Sequence, residues 1–508
     1  MENQLPSFLF LFASLIFIFM VLRTWQNSKY NQLASKLPPG PLKLPLIGSL
    51  HLFIGTQPHH CLARLAHKYG SLMLLQLGEV PTVIISSAEC AKEVMKTHDS
   101  IFSERPYLYA AETITYNFQD IVFAHGDYRK QIRKICVLEL LSQKRVQSFR
   151  PIREEEISNL VKAIKSKAGV AINLKNLLYS LSLNILSRAA FGGRFKQQDA
   201  FKKLLPDIVE LFGGLSIVDV YPSLKLLRLI LGMRPKHKRL HREADEILEN
   251  VIQQHRAAKL RTDMEQENEI DDLVQVLLDI QDRGGDEIPL ATSGIKATLM
   301  DLFLAGGETT SSIVEWAMSE LLRNPHVMQK AQAEVRQVFS GRKDVNESGI
   351  VELKYLNPVI KETLRLHPPA PLLLPRECQE RCEMMGCEIP AKSRVIVNAW
   401  AIGRNHNYWN EADKFDPERF LESSISYKGT DFELIPFGAG KRICPGMSFG
   451  LANVELILAN LLYHFDWKLP NGINPQDLDM AEVFGASLRR KHDLCLVPIP
   501  YQFGESEE

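Results

Sequence analysis

A chain of 508 residues with 60 Lys and Arg against 60 Asp and Glu carries no net formal charge, which excludes a general nucleic-acid binder or a polyelectrolyte tail. With 45% hydrophobic and 24% charged residues, 29 Gly and 27 Pro, the composition belongs to a globular protein with a large core. Length alone suggests about three domains, but no Gly/Ser-rich or Pro-rich linker and no solenoid period follows residue 50. One large catalytic unit over residues 49–508 is expected. The eight Cys, scattered from Cys61 to Cys495, do not form a disulfide framework and place the body in a reducing compartment.

From the N-terminus, Leu5 to Leu22 runs 18 residues without a charge, long enough to cross the hydrocarbon layer of a bilayer. Glu2 precedes this run and Arg23, Lys29, Lys36 and Lys43 follow it. That charge asymmetry predicts a retained transmembrane anchor over residues 1–22 with the body in the cytosol, where the sequon at Asn346 stays unused. Residues 23–48 form a basic, proline-rich hinge: Leu37-Pro38-Pro39-Gly40-Pro41 removes backbone donors and fixes φ.

Period-2 alternation predicts strands over Leu72 to Leu77 and Val80 to Ile85. Period-3.6 stretches predict helices over Glu154 to Ser166, Asn173 to Phe191, Glu243 to Ala258 and Gly294 to Leu322. The first half of Lys259 to Asp286 reads as a solvated loop. The fold class is mainly α with minor β-sheets.

The chemistry concentrates in the last 210 residues or so, above all in Phe437-Gly438-Ala439-Gly440-Lys441-Arg442-Ile443-Cys444-Pro445-Gly446. The two glycines permit a tight turn, Cys444 sits at its apex, and Pro445-Gly446 opens a helix. A thiol at a helix N-terminus beside a fixed cation is poised as a thiolate; the plainer alternative is an inert packing cysteine. This segment resembles the haem-binding loop of the haem-thiolate monooxygenases, the cytochrome P-450 superfamily, at Phe437, Gly440, Arg442, Cys444 and Gly446. Glu362-x-x-Arg365 and the Arg419 of Phe415 to Phe420 stand in the family's order and resemble its buried ion network.

The resemblance implies the cytochrome P-450 fold, a haem b cofactor with Cys444 as the metal ligand, and propionate contacts from Arg442, Arg376 and Arg133. The family's usual Trp, four residues before that last Arg, is here Arg129. It also implies that Glu308 and Thr309, in Ala305-Gly306-Gly307-Glu308-Thr309-Thr310, relay protons for dioxygen cleavage. On the residues alone, Gly306 and Gly307 either open a path to the helix backbone or form a packing notch. The anchor, the hinge and the cysteine loop look like the microsomal plant members, which implies the endoplasmic reticulum membrane. Electrons would come from NADPH through NADPH-cytochrome reductase, with cytochrome b5 as a second donor. The reductase would dock on the basic set Arg129, Lys130, Arg133, Lys134, Lys144 and Arg145.

By position relative to these motifs, Phe303, Ala305, Ala370, Leu372, Leu374, Phe484 and Ala486 are expected to line an apolar pocket. Such a lining suits a hydrophobic, weakly functionalised molecule, and general resemblance points to a terpenoid, diterpene or sesquiterpene, with flavonoid, alkaloid or fatty-acid substrates as alternatives. A haem-thiolate isomerase or dehydratase is the rival enzyme, and a haem-binding membrane scaffold the non-enzyme rival. Cys378, Cys382 and Cys387 lack metal-ligand spacing, and His59-His60 reads as a surface pair at a helix start.

Overall fold

The structure, a computed structural model, describes residue 14 and residues 36–502 apart from 194, 215, 225–232, 263–271, 285–287 and 343. Except for Ser14, the apolar run from Leu5 to Leu22 lies outside the described residues. Among the described residues no helix is long and apolar enough to cross a membrane.

Helices dominate. Those that frame the site are α1 (Pro58–Tyr69), α2 (Gly126–Ile135), α3 (Arg150–Lys165), α4 (Leu174–Phe191), α5 (Gln198–Phe212), α6 (Met233–Thr262), α7 (Leu273–Arg283), α8 (Thr292–Arg323), α9 (Pro325–Val338), α10 (Leu356–Leu366) and α11 (Met447–His464). Local chemistry sets their ends. The Asn173 side chain accepts the Asn176 N–H at 3.0 Å to start α4, Gly192 closes it at φ 70°, and Asp272 accepts the Gln275 N–H at 2.8 Å to start α7. Lys259 to Thr262, expected in a loop, continue α6.

Two helices form the axis of the body. In α8 nearly every residue from Gly294 to Phe303 and from Thr310 to Leu322 is buried. In α11 the apolar residues face all directions, the pattern of a helix enclosed by others. Helices α4, α10 and α11 all pack on α8.

The expected strands form with the expected bounds: β1 (Leu72–Leu77) pairs antiparallel with β2 (Val80–Ile85), Leu72 opposite Ile85 and Leu77 opposite Val80. Gly78, in the two-residue turn, has φ 58°, and a Cβ there would meet the Val220 carbonyl at 2.5 Å. Two distant strands, β3 (Arg376–Glu377) and β4 (Arg394–Val397), complete a sheet of order β1-β2-β4-β3, with β2 and β4 parallel. This sheet carries Arg376 to the edge of the site.

One expectation is corrected at α1. His59 is fully buried, its Nε2 2.6 Å from Glu482 Oε1, while the half-exposed His60 reaches the same oxygen at 2.7 Å. The pair therefore ties α1 to the C-terminal region, with His59 inside and only His60 reaching the surface.

Candidate active site

The loop from Phe437 to Gly446 is shaped by its glycines. Gly438 and Gly440 have φ 71° and 68°, and a Cβ on Gly440 would sit 2.1 Å from the Met95 carbonyl and 2.5 Å from Asp99 Oδ2, so only glycine fits. The Cys444 N–H donates to the Phe437 carbonyl at 2.9 Å, closing the loop, and the Phe437 ring meets Tyr427 edge-on at 5.7 Å. Gly446 then caps α11. Cys444 is half-buried, and burial pushes its thiol above the ordinary value, against the opposing pull of the Gly446 N–H and the Arg133 guanidinium. Loss of solvent thus opposes the helix terminus and the cation in setting this thiol. A coordinated metal ion is what would deprotonate it outright.

Beside this loop five guanidinium groups converge from four parts of the chain. Arg442 donates Nε to the Ser103 carbonyl at 2.6 Å, Nη1 to Val122 at 3.0 Å and Nη2 to Ala124 at 2.9 Å. Arg376 donates to Asp99 Oδ1 and to the Ala439 carbonyl, each at 2.9 Å. Arg133 reaches the Ile443 carbonyl at 2.6 Å. Arg105, which no sequence motif signalled, donates to the Leu374 and Pro375 carbonyls at 2.8 Å. Burial followed by the neighbouring Arg129 lowers Arg442 to about 10. Burial followed by Arg442 and Arg376 lowers Arg105 strongly.

Arg129 stays inside. It is 8% exposed and its Nε lies 3.4 Å from Glu104 Oε1 without forming a hydrogen bond. Glu104 also meets His125 at 3.0 Å and Arg442 at 3.9 Å. Burial alone would raise Glu104, but His125, Arg129 and Arg442 hold it below the ordinary glutamate value.

Five guanidinium groups thus face the carboxyl groups of Asp99 and Glu104, with Asp120 near Arg105 and Arg442, and one buried guanidinium nitrogen has no acceptor. This surplus of buried positive charge suits a ligand with two carboxylates, as haem has. An open surface cleft of about 740 Å³ is lined by Glu104, Arg105, Arg129 and Lys441, and Cys444 is not part of its lining.

Across the site, α8 runs unbroken through Ala305 to Thr310. Thr309 Oγ1 donates to the Ala305 carbonyl at 2.6 Å, and Glu308 Oε1 lies 3.7 Å from Arg489 Nη1. Ala305 is exposed in the middle of this otherwise buried helix, which marks the face turned to open space. Gly306 and Gly307 point elsewhere: a Cβ there would meet Leu186 at 2.6 Å and Leu183 at 2.7 Å. Both leucines belong to α4, so the glycines form the packing notch and do not open the backbone.

The expected pocket lining divides in the same way. Phe303 is 2% exposed, stacked on Phe191 at 5.2 Å and edge-on to Phe201 at 5.0 Å. It is core between α4, α5 and α8, which corrects its placement in the lining. Leu372 and the half-buried Phe484 share one apolar cluster, Ala370 is half-buried, and Leu374 and Ala486 are exposed.

The ion network is assembled as expected. Glu362 accepts Arg365 Nε and Nη2 at 2.7 Å and Arg419 Nε at 3.0 Å, and Arg365 Nη1 donates to the Gly403 and Ala412 carbonyls at 2.6 Å. Glu362 and Arg365 are essentially without solvent contact.

A mainly helical body with a cysteine loop of this form defines the haem-thiolate class of oxidoreductases. The profile of the cytochrome P-450 family matches residues 38–496, and the chain belongs to that family: it is an oxidoreductase of monooxygenase type whose cofactor is haem iron. Desmethyl-deoxy-podophyllotoxin synthase of Sinopodophyllum hexandrum is 53% identical over 490 residues, 95% of each chain. Premnaspirodiene oxygenase of Hyoscyamus muticus is 50% identical over 498 residues, 97% of this chain and 98% of its own. A zebra fish cytochrome P-450 solved with progesterone shares the fold at TM-score 0.76 and 24% identity, covering 88% of this chain and 100% of that one.

Proposed function

We propose that this protein is a membrane-anchored monooxygenase that inserts one oxygen atom into a small, apolar plant metabolite, a terpenoid of diterpene or sesquiterpene size. The observation that carries this reading is the closed Cys444 loop with its surplus guanidinium charge at the start of α11, a helix that packs on α8, where Ala305 is exposed. Cys444 would hold the iron of haem b, and Arg105, Arg129, Arg133, Arg376 and Arg442 would surround its propionates. Bound there, the haem supplies dioxygen activation and the electron-transfer steps of oxygen insertion.

The chain's own residues position and protonate. Thr309 has its hydroxyl hydrogen committed to the Ala305 carbonyl, so it passes a proton from water by rotating off that acceptor. Glu308, held near Arg489, is the acid that resupplies it. The half-buried to exposed side chains of Ala305, Ala370, Leu374, Phe484 and Ala486, with Leu372 behind Phe484, offer apolar contact and almost no fixed polar group. The two relatives named above carry a podophyllotoxin and a premnaspirodiene in their names, which supports an apolar skeleton of this size and leaves the terpenoid class to rest on the pocket chemistry.

Electrons arrive from NADPH through NADPH-cytochrome reductase, with cytochrome b5 as a second donor. The exposed Lys130, Lys134 and Lys144 around the exposed Val137 and Leu138 support such docking. Residues 1–22 form the anchor, 23–48 the hinge and 49–508 the catalytic body on the cytosolic side of the endoplasmic reticulum. Exposed apolar side chains support this: Leu42, Leu44, Leu46, Ile47 and Ile54 near the hinge, with Ile217 and Leu224 beside Tyr221, whose hydroxyl reaches the Leu46 carbonyl at 3.4 Å. Deleting residues 2–22 should release much of the protein from microsomes with its haem retained; release together with haem loss would overturn the assignment of that segment as anchor alone.

The test of function is direct. Reduced, carbon-monoxide-bound protein should show the red-shifted Soret band of a thiolate-ligated haem, and Cys444→Ala should abolish it; a variant that keeps the band overturns the ligand assignment. Microsomes with reductase and NADPH, fed a panel of terpenoids, should yield a product carrying one added oxygen. Isomerised or dehydrated products formed without NADPH would favour the isomerase or dehydratase reading, and haem binding without turnover of any panel member would favour the scaffold.

A further inference from the structure

Between α8 and the cysteine loop runs the short bent segment Ile121 to Ala124, held on both edges by buried charge. On one edge, Asp301 of α8 accepts the N–H groups of Ile121 and Val122 on its Oδ2 at 2.8 and 3.0 Å. Asp120 accepts the Phe123 N–H at 3.0 Å. On the other edge, the Val122 carbonyl receives Arg442 Nη1 and Arg105 Nε at 3.0 and 3.3 Å, and the Ala124 carbonyl receives Arg442 Nη2 at 2.9 Å. Val122 thus joins both edges within one residue: its N–H answers to α8 and its C=O to the arginine two residues before Cys444.

The two aspartates grip the same segment from buried positions: Asp120 is 0% and Asp301 7% exposed, both accept its N–H groups, and each acts electrostatically on the other. A hydrogen bond between them needs a proton, because two bare carboxylates have only acceptors to offer. Asp120 Oδ1 is buried without a hydrogen-bond partner among the described residues, so a protonated neighbouring carboxyl is the donor that would satisfy it. Two adjacent buried carboxylates cannot both ionise without a large cost, as in dyads that hold one proton between them. Burial raises both groups, Asp120 to about 6, in accord with the geometry.

We propose that Asp120 and Asp301 share one proton and act as a positioning pair, fixing the segment Ile121 to Ala124 so that Arg442 and the haem edge beside it are set by the same helix that presents Ala305 to the substrate. Asp301 lies four residues before Ala305, one turn along α8, so a displacement of that helix is transmitted to the cation cluster through two peptide groups. The proposal rests on the reading of the Cys444 loop as the haem site. It extends that reading by giving the pocket helix a rigid link to the cofactor's carboxylate end.

The test uses the haem-loaded, membrane-bound protein and the variants Asp120→Asn, Asp301→Asn, Asp120→Ala and Asp301→Ala. An asparagine reproduces a carboxylic acid with its proton: its oxygen accepts the same backbone N–H groups and its amide donates to the remaining carboxylate. Each Asn variant should therefore keep haem occupancy and midpoint potential close to wild type. Infrared difference spectra at neutral pH should show the loss of one protonated carboxylic-acid carbonyl band in each. Asp301→Ala, which strands two buried N–H groups, should release haem roughly tenfold faster and shift the midpoint potential, with Asp301→Asn as its rescue.

An unchanged acid band in both Asn variants would overturn the shared proton, as would Asn variants that lose haem as readily as the Ala ones. Wild-type haem retention and potential in both Ala variants would overturn the positioning role. Failure of the underlying reading is separable: a thiolate Soret band surviving in Cys444→Ala sinks the haem-ligand assignment, while the infrared measurement needs no iron and still decides the proton.

Discussion

The two walls of the site are built on opposite principles. On the cysteine side most of the buried guanidinium groups are tied to backbone: Arg442 donates to three carbonyls, Arg376 to one carbonyl and Asp99, Arg365 to three carbonyls and Glu362, while Arg129 pairs with Glu104 alone. On the pocket side the exposed residues, Ala305, Leu374 and Ala486, are small or aliphatic and make no side-chain hydrogen bond. Buried polar networks specify one geometry because each unsatisfied member is costly. Apolar walls are shape-selective and tolerant of change. The same chain can thus hold one cofactor rigidly while its substrate side remains free to vary, and substitutions on the two walls should fail in different ways.

The largest effect is expected in the ion network. Arg365→Ala leaves Glu362 buried with only Arg419 and the Asp416 N–H and takes a donor from three carbonyls, a loss on the order of 3–5 kcal/mol for a broken buried pair. Little haem-loaded protein should accumulate, and chemical denaturation of what does should show the midpoint displaced accordingly. A variant with wild-type stability would show that the network is not what secures the cysteine side.

Next comes Phe303, which tests where the boundary between core and pocket lies. Its ring is packed with Phe191 and Phe201, so Phe303→Ala should cost about 3 kcal/mol through cavity formation, read as a lowered melting temperature, with the site of oxidation on the substrate unchanged. A shift in regiochemistry at full stability would return the residue to the pocket.

That residue also shows how far the sequence carried. Strands β1 and β2 were legible to the residue as short apolar runs, although both faces of β1 are buried and its alternation is weak, and the Cys444, Glu362 and Arg419 segments were legible because each chemistry is compressed into a few positions. Helical phase was available but unused: Phe303 and Ala305 are two residues apart, about 200° around a helix, so they cannot share a face. Phe303 and Gly307 belong to the stripe against α4, while Ala305 and Thr309 belong to the open one. Arg105 was illegible for another reason. Its partners, Leu374 and Pro375, lie about 270 residues away, and no local pattern encodes an encounter made only by folding. The same holds for Glu104, whose meaning depends on Arg129 standing opposite it.

Glu104 gives a smaller effect with a defined sign. Its folded-state value is held below the ordinary one, so its stabilising contribution is fully present above the unfolded glutamate value of about 4.3 and is lost as pH falls through the folded value. Haem release followed across that acid range should contain a component that Glu104→Gln removes, and the variant should hold haem less well at neutral pH because Arg129 then loses its only ion-pair partner among the described residues. An acid profile identical in wild type and variant would mean that the cation cluster does not depend on Glu104.

The smallest effect on stability, and the most informative about the substrate wall, should come from Leu374. Its carbonyl is held by Arg105 at 2.8 Å, and Leu373 before it is in the left-handed region at φ 49°, so the backbone here is fixed from the cofactor side. The side chain, by contrast, is 44% exposed and has less packing to lose than a core leucine. Leu374→Ala should therefore change stability by no more than about 0.5 kcal/mol, the range of surface substitutions away from special features. It should nevertheless redistribute the products of the preferred substrate, because removing an aliphatic wall group alters the pose at a cost of roughly 1–3 kcal/mol in discrimination. The measurement is the product ratio beside the melting curve of the same preparation. A stable variant with an unchanged ratio would place Leu374 against solvent and not substrate, and would move the specificity of this wall to Ala370, Phe484 and Ala486.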